Sequence, residues 1–597
     1  MKLEKTSRLI LFIFLILFLV INALPLKTSG QQNLRVQNLN TRAEYETIQE
    51  AINAANIGDT LYVRNGTYYE HVVVNKTISL VGENKSNTII DGGGSGDVIL
   101  VAADDVNIRG FTIQNTGPVF TTKSDVYIDR SSGSRISDNI IRNSLYGIYL
   151  YYSHENSVLN NTILDNPCGM SLTSATNNVV SDNNFLHNSN GIYLSYSTHN
   201  TFSGNNVSLN TVYGFSLSAC TDNVFFSNNV SNNTYGFSLM ASANNKFSGN
   251  NVLKNEQGFS LSASRVNTFS GNNVSLNTVY GVWLGTSSDN AFLNNYVVNN
   301  QNSFHLTTSD SNIIYHNNFI NTQANTTQQP ICVESENFWD NGVEGNYWSN
   351  HTGSDKNSDG ISDTVYIIDE KNKDSYPLMA TFAQFNIMVE NKFYALDVVS
   401  NFTISNFEYF YYPANRTTAV KFQITDNIGG KGFCRICIPH SVIEPPYAVI
   451  VDHNTSLYTN IVHDNKTHSW VYFTYYPEYK PSVISILSTE QLVWYQLWFW
   501  TVIGLMVVVI ILLVLVIKYR RICSEQKKVI EACELKMHVL EHFGTARVFF
   551  ENDVKRRKIK IKKFETKYHI KIQPHSNFED MLRRMEAKKK EKEKVAN

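Results

Sequence analysis

The sequence predicts a mainly β protein built on a right-handed parallel β-helix with three sheets. Two observations carry this prediction: a glycine recurs every 22 or 23 residues, and apolar residues follow each glycine at fixed spacing. A period of this length is typical of a solenoid in which each repeat stacks on its neighbour. The recurring glycines are Gly147, Gly169, Gly191, Gly214, Gly236, Gly258 and Gly281.

Each glycine begins a four-residue phrase such as GIYL or GFSL, whose second and fourth residues are always apolar while the third varies. This alternation predicts a strand with one buried face, and two further apolar columns predict two more strands per repeat. Asparagine recurs at one corner between strands, which predicts a hydrogen-bonded ladder. The corner residues are Asn161, Asn183, Asn205, Asn228, Asn250, Asn272 and Asn317, with Asn294 or Asn295 in the remaining coil.

The 597 residues divide into several predicted domains. The β-helix is expected at 45–322, with a capping helix at 45–58 and regular 22-residue coils at 134–322. A C-terminal cap with an Asp-rich loop follows at 323–380. Alternating strands at 381–490 then predict an antiparallel, β-sandwich-like domain.

Both ends of the chain predict export and membrane anchoring. Residues 1–30 are typical of a signal peptide or an uncleaved signal-anchor, and the uncharged segment 497–517 predicts one transmembrane helix. From Tyr519 onward 22 basic residues outnumber 12 acidic ones. The positive-inside rule therefore places 518–597 in the cytoplasm as a small α/β tail, with the β-helix and sandwich outside a single-pass cell membrane protein. Fourteen Asn-x-Ser/Thr sequons agree with an exported glycoprotein.

Three segments resemble one protein family: the opening TIQEAINAA, the repeats of the form NNTFSGNNVSLNTVYGFSL, and the closing NYWSNHTGSDKNSDGISDT. They resemble NosD-type β-helix proteins, within the wider group of carbohydrate-binding proteins and sugar hydrolases that share a pectin lyase-like solenoid. The resemblance covers about 45–380. The order of solenoid, β-domain and single span looks like archaeal membrane-anchored surface proteins of this type. NosD itself is implied in the delivery of copper to nitrous oxide reductase, so the resemblance implies a role in handling copper as one alternative.

Copper sites need clustered His, Met or Cys ligands. The histidines of the solenoid fall in different columns, and the chain has no Met-rich segment. We therefore do not expect copper to bind here. Cys434 and Cys437 form the CxxC pair of the chain, and without a second pair nearby they predict a local disulfide or two buried thiols rather than zinc.

The Asp-rich loop has the spacing D-x-N-x-D-G-x-x-D, which is typical of a calcium-binding loop. The expected ligands are Asp355, Asn357, Asp359, the Ile361 carbonyl and Asp363. The twelfth position is a tyrosine rather than the usual glutamate, so the motif is incomplete. The sequence leaves two interpretations open, a structural calcium site and a solvated Asp/Asn turn.

Catalysis on a β-helix needs facing carboxylates, or a basic residue beside calcium. Acidic residues are few in the regular coils, and only Asp289 and Asp310 fall one position apart on neighbouring coils. They are weak candidates for a catalytic pair, and polar corner residues are the alternative.

Aromatic residues recur beside the glycine phrases in two columns. Sugar rings stack on aromatic side chains, so these columns predict a glycan-binding surface, with lateral packing of the rings as the alternative. The candidate ligand-binding residues are Tyr149, Tyr193, Trp283, Tyr213, Tyr235 and Tyr280.

The sequence thus favours non-catalytic binding of polysaccharide or glycoprotein, or a structural role at the cell surface. A glycan-active hydrolase or lyase is the first alternative, and NosD-like handling of copper is the second. The expected partners are an extracellular glycan or surface glycoprotein and the membrane. Nucleic acid is not expected as a partner.

Overall fold

The structure is a computed structural model. It describes residues 35–117, 123–322, 330–412, 417–425, 432–452, 455–457, 459–475 and 481–522. The described residues up to Leu492 belong to one compact unit, and those from Val493 onward belong to a second. The predicted signal segment and the predicted tail beyond Ile522 lie outside the described residues.

Three sheets make up a parallel β-helix in the first unit, and from Thr60–Val63 onward each coil contributes one strand to each sheet. The two strands before it pair antiparallel at the end of sheet 1. Sheet 1 contains Val36–Asn38, Glu44–Tyr45, Thr60–Val63, Ser79–Gly82, Asn107–Arg109, Arg135–Ser137, Ser157–Leu159, Val179–Ser181, Thr201–Ser203, Val224–Phe226, Lys246–Ser248, Thr268–Ser270, Ala291–Leu293 and Ile313–Tyr315. Sheet 2 contains Gly66–Tyr69, Thr88–Asp91, Thr112–Gln114, Ile140–Arg142, Thr162–Leu164, Asn184–Leu186, Asn206–Ser208, Asn229–Ser231, Asn251–Leu253, Asn273–Ser275, Tyr296–Val298, Asn318–Ile320 and Tyr347–Trp348. Sheet 3 contains Val72–Val74, Ile99–Val101, Ser124–Asp129, Tyr146–Tyr151, Cys168–Thr173, Asn190–Ser195, Tyr213–Ser218, Tyr235–Met240, Gln257–Ser262, Tyr280–Gly285, Phe304–Thr307 and Ile331–Val333.

The recurring glycines lie where consecutive coils come closest in sheet 3. A Cβ atom built on Gly147 would lie 2.5 Å from the carbonyl oxygen of Gly169 in the next coil. On Gly214 it would lie 2.7 Å from the carbonyl oxygen of Gly236. Real side chains do not tolerate such distances, so the repeat requires glycine for close backbone approach.

The interior is filled by columns of side chains that repeat coil after coil. In one column neighbouring phenylalanine rings have centroids 4.5 to 4.9 Å apart and planes within 6° of parallel. That separation equals the strand spacing of about 4.8 Å, so the rings stack as a consequence of the register. The members of this column are Phe202, Phe225, Phe247, Phe269 and Phe292.

The predicted asparagine ladder is confirmed at the corner between sheets 1 and 2, and Asn295 fills the coil that the sequence left open. Asn183 Nδ2 donates to Asn205 Oδ1 at 3.1 Å, and that oxygen also accepts the backbone N–H of Asn183. Two more ladders run along the other corners, and both escaped the sequence analysis. Their members are Asn156, Asn178, Asn200, Asn223, Asn245, Asn267, Asn290 and Asn312, and Asn166, Asn188, Asn210, Asn233, Asn255, Asn277 and Asn300.

Helix α1 (Ile48–Ala54) covers the N-terminal end of the solenoid core, and its Ile48, Ala51 and Ile52 are buried. The Thr47 side chain caps it by accepting the N–H of Glu50. The helix is shorter than the predicted 45–58. It begins later because Glu44–Tyr45 pairs as a strand, and it ends at Ala54 because the following cap residue has extended backbone.

Beyond the regular coils, Ile331–Val333 and Tyr347–Trp348 still pair in parallel with sheets 3 and 2. Coil stacking therefore continues past residue 322, although longer loops interrupt the period. A short hairpin joins Tyr366–Ile367 to Lys373–Asp374.

A β-sandwich follows, built from two antiparallel sheets of five strands. In spatial order, sheet 4 contains Thr381–Val389, Lys392–Ser400, Gly432–Pro439, His468–Tyr475 and Thr459–Asp464. Sheet 5 contains Thr403–Tyr412, Thr417–Thr425, Ser482–Ser488, Tyr447–Val451 and Thr455–Leu457. A single apolar cluster that includes Leu396, Val420 and Ile486 fills the space between them.

Buried charged groups join the sandwich to the last coils of the solenoid. Glu344 accepts hydrogen bonds from Arg435 of sheet 4 and from His316 Nε2, the latter at 2.6 Å. Burial alone would raise the pKa of Glu344, but the hydrogen bond with His316 and the charge of Arg435 lower it to about 2. The junction therefore contains one buried, ionised carboxylate.

Helix α2 (Thr489–Ile522) follows the last sandwich strand, and most of it belongs to the second unit. The predicted transmembrane segment 497–517 falls within its bounds. Among the residues that the structure describes, no helix is long and apolar enough to cross a membrane.

Candidate functional site

The outward surface of sheet 3 carries all six aromatic candidates. In the six-residue strands of this sheet, the first, fourth and sixth residues face outward, while the second, third and fifth are buried. Tyr149, Tyr193 and Trp283 share the fourth position. The first position is occupied by the other three candidates, Tyr213, Tyr235 and Tyr280.

A tyrosine cluster lies towards the N-terminal end of this surface and includes side chains from both the fourth-position and the first-position columns. We define it as Tyr127, Tyr146, Tyr149, Tyr151 and Tyr152. Tyr149 is central: its ring stacks on Tyr127 with centroids 5.4 Å apart and on Tyr146 with centroids 5.3 Å apart. Tyr151 lies 5.9 Å from Tyr149 and meets Tyr152 edge-on at 4.6 Å. The result is a contiguous, half-exposed aromatic platform.

Polar groups surround this platform. The Arg130 guanidinium lies 5.6 Å above the Tyr151 ring and 3.8 Å from the Asp129 carboxylate. Burial raises the pKa of Tyr127 to about 12, and the charge of Asp129 adds to the shift. The Tyr127 phenol is therefore protonated at neutral pH and can donate a hydrogen bond.

A second aromatic cluster lies several coils further along the sheet and consists of Tyr280, Trp283 and His305. The Trp283 ring covers the backbone of Gly285, because a Cβ on that glycine would lie 2.5 Å from the indole. Tyr280 meets the His305 ring edge-on at 5.0 Å. Burial lowers the pKa of His305, and its Nδ1 is buried without a hydrogen-bond partner among the described residues.

The remaining candidates do not connect these clusters into a continuous strip. Tyr213 and Tyr235 form a separate pair with ring centroids 5.1 Å apart. In the fourth-position column, serines occupy the three coils between Tyr193 and Trp283. The aromatic surface is therefore interrupted at the two coils that lack an aromatic residue at both positions, which carry Cys168 with Ser171 and Gln257 with Ser260.

Asp289 and Asp310 lie on adjacent coils, where the Asp289 N–H donates to the Asp310 carbonyl at 3.2 Å. The Asp310 carboxylate accepts the N–H of Glu336 at 2.8 Å, and Asp289 has the left-handed backbone of a corner residue, with φ of 59°. These contacts match the alternative interpretation of the pair as polar corner residues.

The Asp-rich loop is closed by its own backbone. Asp355 accepts the N–H groups of Asp359 and Gly360 at 3.0 and 2.9 Å, and Asp363 accepts the N–H of Lys356 at 2.9 Å. Asn357 donates to Asp359 at 2.8 Å. In the part of the chain that is described, no three His, Cys, Asp or Glu side chains are grouped in a way that could hold a metal ion.

The solenoid matches one protein family. The family described as "Periplasmic copper-binding protein (NosD)" matches residues 52–239 and 213–353, which together span half of the chain. The chain belongs to the NosD family. The match covers the whole run of regular coils and the tyrosine cluster.

Several solved structures resemble this NosD-family chain. The Dettilon tailspike protein (gp208) is 11% identical, with a TM-score of 0.38, and the match covers 72% of this chain and 87% of that one. A Family 28 exopolygalacturonase from Yersinia enterocolitica is 11% identical with a TM-score of 0.40, covering 52% and 77%. A mannuronan C-5 epimerase A-module from Azotobacter vinelandii is 14% identical with a TM-score of 0.33, covering 49% and 94%. At these identities the likeness concerns the fold alone. No curated protein matches the chain.

Four members of the tyrosine cluster of this NosD-family chain were not among the six candidate residues from the sequence: Tyr127, Tyr146, Tyr151 and Tyr152. Tyr127 belongs to a coil without the glycine phrase, so it did not align with the columns. The register pairs Tyr127 with Tyr149 and Asp129 with Tyr151. Aligning DVYID with YGIYLY would have revealed Tyr127, because both segments alternate in the same way.

Proposed function

We propose that this chain is a membrane-anchored extracellular protein that binds polysaccharide or glycoprotein through its β-helix without catalysing a reaction on it. The supporting observation is the tyrosine cluster on the outward face of sheet 3. Its phenol hydroxyls and the Arg130 guanidinium supply hydrogen-bond donors around an apolar platform. Sugar rings present C–H faces and hydroxyl edges that match this combination.

The spacing of the platform supports an extended polymer as the ligand. Successive coils advance by about 4.8 Å, so side chains of one column repeat along the solenoid axis at that interval. Tyr149 and Tyr193 lie two coils apart in the same column, with Ser171 between them. A chain laid along the axis would meet the Tyr149 ring and, two coils further on, the Tyr193 ring.

A glycan-active enzyme is the first alternative, and it needs two carboxyl groups that face one substrate. Asp289 and Asp310 are engaged as corner residues, and neither lies on the outward face of sheet 3. Asp125 lies nearer the tyrosine cluster, but it is fully buried and bonded to Ser144. Burial raises the pKa of Asp125 well above the usual range, which favours the neutral form of this interior carboxyl.

Copper handling is the second alternative because of the family description. The described residues do not fit a copper centre, since they contain no group of three candidate ligands. Burial raises the pKa of the Cys168 thiol to about 12 and that of the Cys220 thiol to about 11. Both thiols are also buried, and they lie on different coils, so they do not form a shared metal site.

For the Asp-rich loop we propose structural calcium, on the strength of its ligand spacing. Gly360 of the loop packs on Arg435 of the sandwich, so an ion bound there would stiffen the junction. Adding calcium to the full-length protein should raise its melting temperature, and Asp363→Asn should remove that increase. An unchanged melting temperature at millimolar calcium would contradict the proposal.

A glycan array probed with the full-length protein tests the proposed binding. Tyr149→Ala should remove the signal for the preferred polysaccharide, whereas Ser238→Ala, in the same column but outside the cluster, should leave it unchanged. Equal signals from both variants would show that the tyrosine cluster is not the binding site.

A further inference from the structure

The two sheets of the sandwich have four edge strands, and three of them carry features that discourage pairing with another chain. Thr455–Leu457 is only three residues long. Thr459–Asp464 and Thr403–Tyr412 are each interrupted by a bulge. Short length and bulges are the usual protections of exposed sheet edges.

The fourth edge strand, Thr381–Val389, has none of these protections. It pairs with Lys392–Ser400 over nine consecutive residue pairs without a bulge. Its sequence TFAQFNIMV contains neither a charged residue nor a proline. We call it the open edge strand.

The hydrogen-bonding pattern shows which groups the open edge strand presents outward. It is joined to its partner by a two-residue turn, Glu390 and Asn391, both with positive φ. In such a hairpin the residues that flank the turn bond to each other, so alternate residues direct their N–H and C=O groups away from the partner strand. These outward residues are Phe382, Gln384, Asn386 and Met388.

The solenoid already pairs with the first of these residues. Asn318 Nδ2 donates to the Phe382 carbonyl at 2.8 Å, and the Phe382 N–H donates to Asn318 Oδ1 at 2.7 Å. The amide side chain thus takes the place of one residue of a neighbouring strand. Within the described part of the chain, the outward backbone groups of Gln384 and Asn386 have no such partner.

A cleft of about 670 Å³ lies beside this edge, between the open edge strand and the corner of sheets 1 and 2. Gln384 and Asn386 line one wall, while Gly271, Asn294 and Tyr296 line the other. No residue that lines the cleft is charged. Its volume admits one extended segment of a ligand but not a second folded sandwich.

We propose that this cleft binds an extended, uncharged peptide segment of a partner protein by strand addition to sheet 4. The peptide would continue the pairing that Asn318 begins, with its N–H and C=O groups bonded to Gln384 and Asn386. Main-chain hydrogen bonds provide the affinity in this mode of recognition, and the neutral cleft walls select against charged side chains. The proposal is independent of glycan binding at the tyrosine cluster.

Fluorescence anisotropy with the full-length protein tests this proposal, using a labelled synthetic peptide of alternating threonine and valine with both ends capped. Asn386→Pro removes an outward N–H and leaves the bonds of the hairpin intact, because proline is tolerated at sheet edges. It should weaken peptide binding about tenfold. Asn386→Thr keeps the N–H and is the matched control, so its affinity should be unchanged.

A second measurement needs no protein variant. The same peptide, N-methylated on alternate residues so that one edge lacks donors, should fail to bind. Equal binding of the methylated peptide, or equal binding by Asn386→Pro and wild type, would overturn the proposal. So would displacement of the peptide by a neutral oligosaccharide, or sedimentation showing that Asn386→Pro abolishes a dimer of this chain.

Discussion

In the regular coils of the solenoid most of the buried polar side chains are amides that repeat coil after coil, whereas the junction with the sandwich buries single charged groups. Asn250 bonds to the coil below and the coil above, and the same arrangement recurs along three corners. Glu344 has no equivalent elsewhere among the described residues, and its loss would leave Arg435 buried without its ion-pair partner. The repeat therefore spreads its stability over many similar contacts, while the junction contains a single buried ion pair beside the contacts of Phe382 with Asn318 and His316.

This difference determines where sequence change can be tolerated. The inward positions of the solenoid are fixed by stacking, so its variable positions are on the outward surface, where the tyrosine cluster lies. The following predictions test the difference between the two regions in order of decreasing effect.

The largest effect is expected from Gly214→Val. Its Cβ would lie 2.7 Å from the Gly236 carbonyl oxygen and 2.8 Å from Val230, so adjacent coils would have to separate. We expect the free energy of unfolding to fall by about 3 kcal/mol or more. Thermal unfolding followed by circular dichroism measures it. Ser216→Val on the outward face of the same strand is the control, and a similar loss there would refute the explanation of the glycine repeat.

The next largest effect is expected from Glu344→Gln, which leaves Arg435 buried beside a neutral group. Breaking a buried ion pair by removing one partner costs about 3 kcal/mol. The loss should be confined to the junction and the sandwich, as hydrogen exchange can show. Glu336→Gln, at an exposed position, should have no measurable effect. If both variants unfold at the same temperature as the wild type, the Glu344 carboxylate does not stabilise the junction.

The same carboxylate predicts a pH dependence. The pKa of Glu344 is about 2 in the folded protein and ordinarily 4.5, so its contribution is complete above pH 4.5 and is lost as the pH falls through 2. Acid should therefore loosen the junction before it unfolds the solenoid, whose ladder amides do not titrate. Simultaneous loss of both regions on acidification would contradict this order.

A smaller effect is expected from Asn250→Ala, which leaves the backbone N–H of Asn228 without an acceptor and removes one of the two acceptors of its Nδ2. We expect a loss of about 2 kcal/mol in the free energy of unfolding. Asn251→Ala, in the exposed row of sheet 2, is the matched control and should cost less than 0.5 kcal/mol (an approximate limit for surface positions). Equal losses would mean that burial does not decide the strength of the ladders.

The smallest predicted effect concerns ligand binding. Tyr149→Ala should weaken polysaccharide binding about tenfold, because it removes the central ring of the tyrosine cluster. Trp283→Ala should have a smaller effect, since its ring already covers Gly285 and fewer rings surround it. If isothermal titration calorimetry shows a larger loss of affinity for Trp283→Ala than for Tyr149→Ala, the principal site is at the second cluster.

The sequence predicted the solenoid because every coil repeats the same inward residues at one spacing. It also predicted the ladder through Asn250, because a buried amide at a corner satisfies two coils at once. The asparagines of the other two ladders recur in the sequence with the same period, but the prediction considered only one corner. Asn295 rather than Asn294 joins the ladder because Asn294 has left-handed backbone at the turn.

The candidate site was predicted less completely. Periodicity placed Tyr149, Tyr193 and Trp283 in one outward column, but it does not indicate how far side chains reach between columns. Tyr127 lies in an irregular coil, so its contact with Tyr149 emerges only from the register. The contact of His316 with Glu344, and through it with Arg435, joins distant segments that no periodic pattern connects.

The most direct test of the proposed function measures binding and chemical change on the same polysaccharide. The full-length protein is incubated with the polysaccharide chosen by the glycan array, and the polymer is recovered and analysed for length and new chain ends. We expect saturable binding that Tyr149→Ala weakens, with the polymer recovered unchanged. Shortened chains, new reducing ends or unsaturated sugars would show that the β-helix is an enzyme and contradict the proposed non-catalytic role.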